Sequence, residues 1–259
     1  MYNNIIYREN NRIAYVTVNR PEVMNCFNYE TLTELQTAVD QIYTNPDIHA
    51  VIFTGSGDKA FSAGIDLKER KTLNEMQVRR NVKAIRELFN SIAELPQPTI
   101  AAVNGYALGG GFEWVLACDF AIAVEEASVG LTETSWAIIP GAGGTQRLPR
   151  LIGEAKAKEM IFTAKKLNAK EALDLGIFLK LVPREQLLPS CEELVTEMQK
   201  NGPFALRQAK YAIIHGMNTD LNTGLAIEAK AYELTIPTED RIEALNAFSE
   251  RRAPQFKGK

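Results

Sequence analysis

Glu113 closes a stretch that could do chemistry: Asn104-Gly105-Tyr106-Ala107-Leu108-Gly109-Gly110-Gly111-Phe112-Glu113. Three consecutive glycines follow the apolar run 99–103, which reads as a buried strand, and precede residues 114–118, which read as the start of a helix. Glycine has no Cβ, so a ligand can approach the backbone closely at such a turn. Free N–H groups at a helix start also form a ready anion site. Backbone donors beside a carboxylate suit a reaction that creates an oxyanion and moves a proton. A tight strand-to-helix turn, glycine-rich for packing, accounts for this segment equally well.

Two more segments bear on that choice. Glu133 lies twenty residues after Glu113, and the run Ile138-Ile139-Pro140-Gly141-Ala142-Gly143-Gly144-Thr145-Gln146-Arg147 follows it. Upstream stands Ala60-Phe61-Ser62-Ala63-Gly64-Ile65-Asp66-Leu67. Alone, Glu133 reads as an ordinary surface glutamate. Residues 61–67 alone read as a strand end turning at Gly64, and Gly141 as a turn glycine.

The elements that must position these residues divide the chain in two. In the first half, strands are expected at 13–18, 50–54, 99–103 and 120–124, with helices at 29–42 and 75–95. The second helix is stopped by Pro96 and Pro98. This alternation argues for an α/β core with parallel strands. After Leu181-Val182 strand signals nearly vanish. Residues 184–200, 203–215, 219–235 and 239–251 read as helices, as do 155–163 and 169–175 before them, and Thr145-Gln146-Arg147 reads as a helix start.

Composition bounds the function. The chain has 259 residues, 46% hydrophobic and 24% charged, with a net charge of −3. That is enough for a sizeable core and gives no reason to expect nucleic acid or an anionic membrane as partner. No apolar run reaches the roughly 20 residues of a membrane helix, and the N-terminus lacks a signal-peptide pattern, so a cytoplasmic protein is expected. Cys26, Cys118 and Cys191 are widely spaced with no CxxC pair, and His49 and His215 have no companion cluster. No metal site is expected, and no disulfide set. A serine hydrolase is disfavoured by the absence of GxSxG.

At the three segments around Ile65, Gly110 and Glu133, in that order and spacing, the chain resembles the crotonase superfamily of enoyl-CoA hydratases and isomerases. Asn19-Arg20-Pro21-Glu22, with Asn25 after it, resembles that family's first strand-to-loop junction. The resemblance runs from Val16 to about Phe256. It implies an α/β fold, a spiral of ββα turns over residues 1–201 with a C-terminal helical trimerisation region over 202–259. It implies reversible addition of water to a trans-2-enoyl-CoA, giving a 3-hydroxyacyl-CoA. By the match, Ile65 and Gly110 supply the backbone N–H groups for the thioester oxygen. Glu113 activates water, Glu133 transfers a proton at Cα, and Gly141 helps to hold the water. Both acids together favour a hydratase over an isomerase, which often keeps one. Trp136 stands where many relatives carry an aliphatic residue, and could reshape the acyl pocket.

No resident cofactor is implied, because coenzyme A arrives on the substrate. The resemblance places its contacts on Ala63, Ile65, Asp66, Leu67 and Lys68, and on Lys257 in the C-terminal segment. It implies a homotrimer or a hexamer built as a dimer of trimers. The segments Gly216-Met217, Thr223-Gly224-Leu225-Ala226-Ile227-Glu228 and Thr235-Ile236-Pro237-Thr238 most resemble the methylglutaconyl-CoA hydratase branch, which also binds AU-rich RNA. RNA binding is not carried over. The corresponding helix, 29–43, has no Lys or Arg, and without a basic face counterion release is missing.

Overall fold

Short apolar runs rich in Val, Ile, Phe and Ala supply the frame. In the computed structural model, which describes residues 2–259, the strands are β1 (Ile5–Asn10), β2 (Ile13–Val18), β3 (Ala50–Gly55), β4 (Ala60–Ser62), β5 (Thr99–Val103), β6 (Tyr106–Leu108), β7 (Phe120–Val124), β8 (Ser128–Gly130), β9 (Leu167–Asn168) and β10 (Lys180–Val182). One sheet has the order β1-β2-β3-β5-β7-β10 and the other β4-β6-β8-β9. Pairing is parallel except between β1 and β2 and between β8 and β9. The helices that matter for the site are α1 (Tyr29–Thr44), α2 (Leu67–Arg70), α3 (Glu75–Ala93), α4 (Gly110–Ala117) and α5 (Gly144–Ile152).

This order contains a repeat. Three times in succession a strand of the large sheet (β3, β5, β7) is followed by a strand of the small sheet (β4, β6, β8). The chain then turns into a helical segment: α2 and α3, α4, or the 3-10 turn Glu133–Trp136 and α5. These are ββα turns, and the expected α/β class is the class found. β4, β6 and β8 are parallel neighbours, so their C-terminal ends line up. The residues leaving those ends are therefore neighbours in space, although they are far apart in sequence.

Each turn is fixed by local chemistry. β3 and β5 are buried along nearly their whole length, as parallel strands covered on both faces must be. The corner between β3 and β4 is tied by two buried amides. Asn104 Nδ2 donates to the carbonyls of Gly55 (2.8 Å) and Gly57 (2.9 Å), and Asn25 Nδ2 donates to Ala60 (2.7 Å). α1 is capped by Asn28, whose side chain accepts from the Thr31 N–H, and it buries Leu32, Leu35, Val39 and Ile42. α3 begins with a reciprocal Asn74–Gln77 capping box and buries Ile85, Leu88, Phe89 and Ile92. α4 carries Trp114 into the centre, where its ring lies 4.4 Å from Phe61, 5.5 Å from Phe53 and 5.6 Å from Phe27. Edge and tilted contacts of this kind add to the burial of the rings.

In this frame the sequence reading differs from the structure at the start of α4, at the edge strand β1 and in the small sheet, whose short strands it does not delimit. α4 begins at Gly110, not at residue 114. Glycine is a poor helix former, but a Cβ on Gly111 would stand 1.9 Å from the Ser62 carbonyl oxygen, so packing against β4 admits nothing larger. β1 was not anticipated, because it is an edge strand with Arg8, Glu9 and Asn10 exposed.

By their internal contacts, residues up to Leu95 and Thr99–Cys191 form one unit, and Pro96–Pro98 with Glu192–Lys259 form a second. In the second, helices Pro203–Gly216 and Leu221–Thr235 approach closely where Gly216 faces Gly224, a Cβ on either glycine lying 3.5 Å from the other's Cα. The helix Glu239–Glu250 turns its buried Asp240 to the C-terminal tail, accepting from the N–H groups of Lys257 (2.6 Å) and Gly258 (2.8 Å). Arg252 pairs with Glu243 through both terminal nitrogens. Among the described residues no helix is long and apolar enough to cross a membrane.

Candidate active site

Ile65, Gly110 and Glu133 follow the ends of β4, β6 and β8, one in each turn of the repeat. Ile65 is held by a parallel bridge to Phe27, in which the Phe27 N–H donates to Gly64 (2.8 Å) and the Asp66 N–H to Phe27 (2.9 Å). Those bonds occupy the groups on either side of Ile65 and leave its own N–H without a protein acceptor among the described residues. Gly110 is the first residue of α4, and its N–H is likewise unpaired, as the first N–H groups of a helix must be.

Two glycines bring these donors together. Gly64 has φ +91°, and a Cβ there would lie 3.0 Å from Gly110 N and 2.8 Å from the Leu108 carbonyl oxygen. Gly109 caps α4 with φ +52°, a conformation that an L side chain rarely adopts. The result is two adjacent backbone donors at the mouth of a helix, suited to an oxygen that gains negative charge.

Both glutamates border this point. Glu113 is buried in the first turn of α4, where its Oε1 accepts from the N–H groups of Ala142 and Gly144, each at 2.8 Å. Burial pushes its pKa up, while those two donors and the charge of Arg147 act in the opposite direction. Glu133 starts a 3-10 turn and stands against the cap of α4, with its Oε1 3.2 Å from where a Cβ of Gly109 would be. Its Oε2 is buried with no hydrogen-bond partner. Burial first, then the charge of Glu113, pushes its pKa up to about 7. Neighbouring carboxyl groups resist ionising together. Glu113, with two donors and a cation, is the better supported anion. Glu133, with an orphaned oxygen, is the better supported acid.

The remaining expected residues fall into place as follows. Gly141 is exposed on the loop that wraps Glu113, 3.5 Å from a methyl of Val82 by its would-be Cβ. The Ala63 N–H donates to Met24, and Leu67 and Lys68 are exposed at the start of α2. The Asp66 side chain is engaged in the scaffold: it caps α2 through the N–H groups of Lys68 and Glu69 and pairs with Arg20 at 3.0 Å. Lys257 lies in the second unit, its N–H held by Asp240. Trp136 ends the 3-10 turn that begins at Glu133 and is 62% exposed, beside exposed Ile138 and Ile139. Residues at i and i+3 of such a turn eclipse, so Trp136 and Glu133 share a side of it. Among the described residues no cluster of three or more His, Cys, Asp or Glu side chains is placed to hold a metal.

Sequence reasoning missed the groups that hold the glutamate in place. The Ala142 and Gly144 donors act through the backbone, so their side chains carry no signal beyond small size. Arg147 reads in sequence only as part of a helix start, yet its guanidinium reaches back to the Ala142 carbonyl at 3.0 Å. Arg20 is hidden in the same way: it joins the Cys26 carbonyl to Asp66 and so ties the loop that carries Ile65.

Comparison with known proteins finds relatives along nearly the whole chain. The enoyl-CoA hydratase/isomerase family model matches residues 8–259. A crystal structure of enoyl-CoA hydratase from Bacillus anthracis superposes with a TM-score of 0.97 at 49% identity, covering 99% of this chain and all of that one. The crotonyl-CoA hydratase of Syntrophomonas wolfei is 41% identical over 255 residues, 98% of each chain. Human mitochondrial methylglutaconyl-CoA hydratase is 44% identical over 254 residues, 96% of this chain and 75% of that one.

Proposed function

The chain belongs to the enoyl-CoA hydratase/isomerase family, and from that premise we propose that it is an enoyl-CoA hydratase, adding water reversibly to a short trans-2-enoyl-CoA. The observation that carries the proposal is the unlike state of the two glutamates beside two unpaired N–H groups. Isomerisation, which shuttles one proton along the acyl chain, needs one carboxyl group. Hydration needs a base for water and an acid for carbon, and this site offers one of each.

The thioester oxygen accepts from the Ile65 and Gly110 N–H groups. Ionised Glu113, its Oε1 fixed by Ala142 and Gly144, takes a proton from water through Oε2, and the hydroxide oxygen bonds to Cβ. The electron pair of the double bond moves toward the thioester, whose oxygen gains charge against the two donors. The carboxylic acid of Glu133 delivers its proton to Cα, completing the 3-hydroxyacyl thioester. A backbone donor aimed at such charge contributes about 3 kcal/mol to the barrier lowering. The proton gained by Glu113 and lost by Glu133 is then redistributed through solvent. The reverse reaction runs from the opposite protonation states.

A branched 3-methylglutaconyl substrate is the second reading, favoured by the 44% identity to the human enzyme of that name. The test of the main reading is turnover of crotonyl-CoA by the wild type, Glu113→Gln and Glu133→Gln. Each substitution is expected to lower kcat by about 100-fold or more with the fold intact. Wild-type turnover in either variant would refute the two-glutamate assignment. A panel that includes 3-methylglutaconyl-CoA, compared by kcat/KM, decides between the two substrates.

A further inference from the structure

The hydratase reading requires that one glutamate be the base and the other the acid, and two like side chains in one pocket do not by themselves settle which. We propose that Arg147 is a positioning residue that makes Glu113 the anionic member of the pair and aims its carboxylate. This rests on the reading above and deepens it.

Three observations meet at this side chain. Arg147 Nη1 donates to the Ala142 carbonyl at 3.0 Å, and Nη2 donates to Asn90 Oδ1 on α3 at 2.8 Å. Its backbone N–H donates to the Gly143 carbonyl at 2.8 Å, starting α5. The guanidinium therefore ties the Ala142 carbonyl to Asn90 on α3, while the Arg147 backbone N–H holds the next carbonyl, that of Gly143. The 142–144 segment presents the Ala142 and Gly144 N–H groups to Glu113 Oε1. The clamp and the carboxylate thus meet at one residue, Ala142, whose carbonyl accepts from the arginine and whose N–H donates to the glutamate.

The bare backbone of Gly143, already called for by its positive φ, leaves room for the arginine to fold back over it. With φ +109°, a Cβ on Gly143 would stand 2.0 Å from Arg147 Nη1. The fork geometry of a guanidinium suits this role, because one group reaches two acceptors in fixed directions. The charge adds to the clamp. The charged and titratable groups that face Arg147 are Glu113 and Cys118 on or just after α4 and Glu94 just after α3. Facing Glu113 are Glu133 and Arg147. A cation beside Glu113 opposes its protonation, so a proton shared within the pair resides on Glu133.

The test uses the full-length protein with carbon-13-labelled glutamate carboxyl groups. Glu113 and Glu133 are assigned with Glu113→Gln and Glu133→Gln, then titrated by NMR in the wild type, Arg147→Met and Arg147→Lys. Crotonyl-CoA kinetics are measured on the same samples. In Arg147→Met the Glu113 midpoint rises and the Glu133 midpoint falls below about 7. Its kcat falls on the order of 10- to 100-fold with KM little changed, the scale expected when a reacting group is misplaced. Arg147→Lys keeps the charge without the fork, so it restores the order of titration and only part of kcat. Should Arg147→Met fail to fold, Asn90→Ala, which alters an exposed residue and removes one arm of the clamp, is expected to shift both midpoints in the same directions by less. Unchanged midpoints in a folded Arg147→Met, or in Asn90→Ala where that variant decides, overturn the inference. So does an Arg147→Lys that titrates like Arg147→Met. A wild type that shows the expected titration but does not hydrate crotonyl-CoA removes the hydratase reading and leaves the arginine's role supported.

Discussion

Replacing Glu133 with glutamine should favour the folded protein more at neutral and alkaline pH than at acid pH. Glu133 is held near pKa 7 by burial and by the charge of Glu113, against an ordinary value of 4.5. The folded state therefore binds more protons than the unfolded state between those two pH values, and stability falls as pH rises through that window. Below about pH 4.5 the carboxyl is protonated in both states, and the strain is absent. Above about pH 7 the full cost is present. At 1.36 kcal/mol for each pH unit between the two values, it amounts to about 3 kcal/mol. Solvent access to the half-buried side chain and relaxation make this an upper figure. Glutamine cannot ionise, so Glu133→Gln avoids the cost. Its amide N–H groups add an offset that does not vary with pH, and only the pH-dependent part is diagnostic. The assay is urea denaturation of both proteins at pH 4.5 and pH 8.5, at one protein concentration and one ionic strength. The advantage of the variant is expected to be larger by about 2–3 kcal/mol at the higher pH. A difference that is the same at both pH values would refute the account of Glu133 as a carboxylic acid held protonated by its surroundings.

Other outcomes can be checked more simply. Gly111→Ala should lower stability by about 3 kcal/mol or more in the same denaturation assay, because its Cβ would meet the Ser62 carbonyl oxygen at 1.9 Å and β4 cannot yield. Trp136→Leu should raise kcat/KM for longer 2-enoyl-CoA esters relative to crotonyl-CoA, on the scale of about 0.8 kcal/mol for each methylene admitted, and an unchanged chain-length profile would remove Trp136 from the acyl pocket. Light scattering at micromolar protein should show a trimer or a multiple of it, since Leu234, Ile242, Leu245 and Phe248 leave large apolar surface exposed on the helices of the second unit; a stable, active monomer would contradict this.

What was legible in the sequence follows from length and burial. The strands of the large sheet at 13–18, 99–103 and 120–124 are read to the residue, because five or six consecutive apolar or alternating residues leave no other reading. α3 is read to within two residues, because Pro96 and Pro98 bar its continuation. The small sheet is another matter. β4, β6, β8 and β9 have two or three residues each, mixing Ala, Ser and Gly with Phe, Tyr, Val, Leu and Asn, and no periodicity exists at that length. The ββα repeat is consequently invisible in sequence and plain in the pairing of the strands. The site shows the same divide. Glu113 and its glycine turn stand out by residue type, whereas Glu133, which alone reads as a surface glutamate, is singled out only by the resemblance to the crotonase superfamily. The Ala142 and Gly144 donors do not stand out, and Arg147 reveals its part only when α5 folds its guanidinium back over Gly143.

The central claim is that a base and an acid in one pocket add water to an enoyl thioester. The most direct measurement is mass spectrometry of the product formed from crotonyl-CoA in oxygen-labelled water by the wild type and by Glu113→Gln. The account predicts a 3-hydroxybutyryl-CoA that carries one solvent oxygen, formed on the order of 100-fold more slowly by the variant. A product that keeps the mass of crotonyl-CoA with its double bond moved, or an undiminished rate of labelled product from Glu113→Gln, would contradict it.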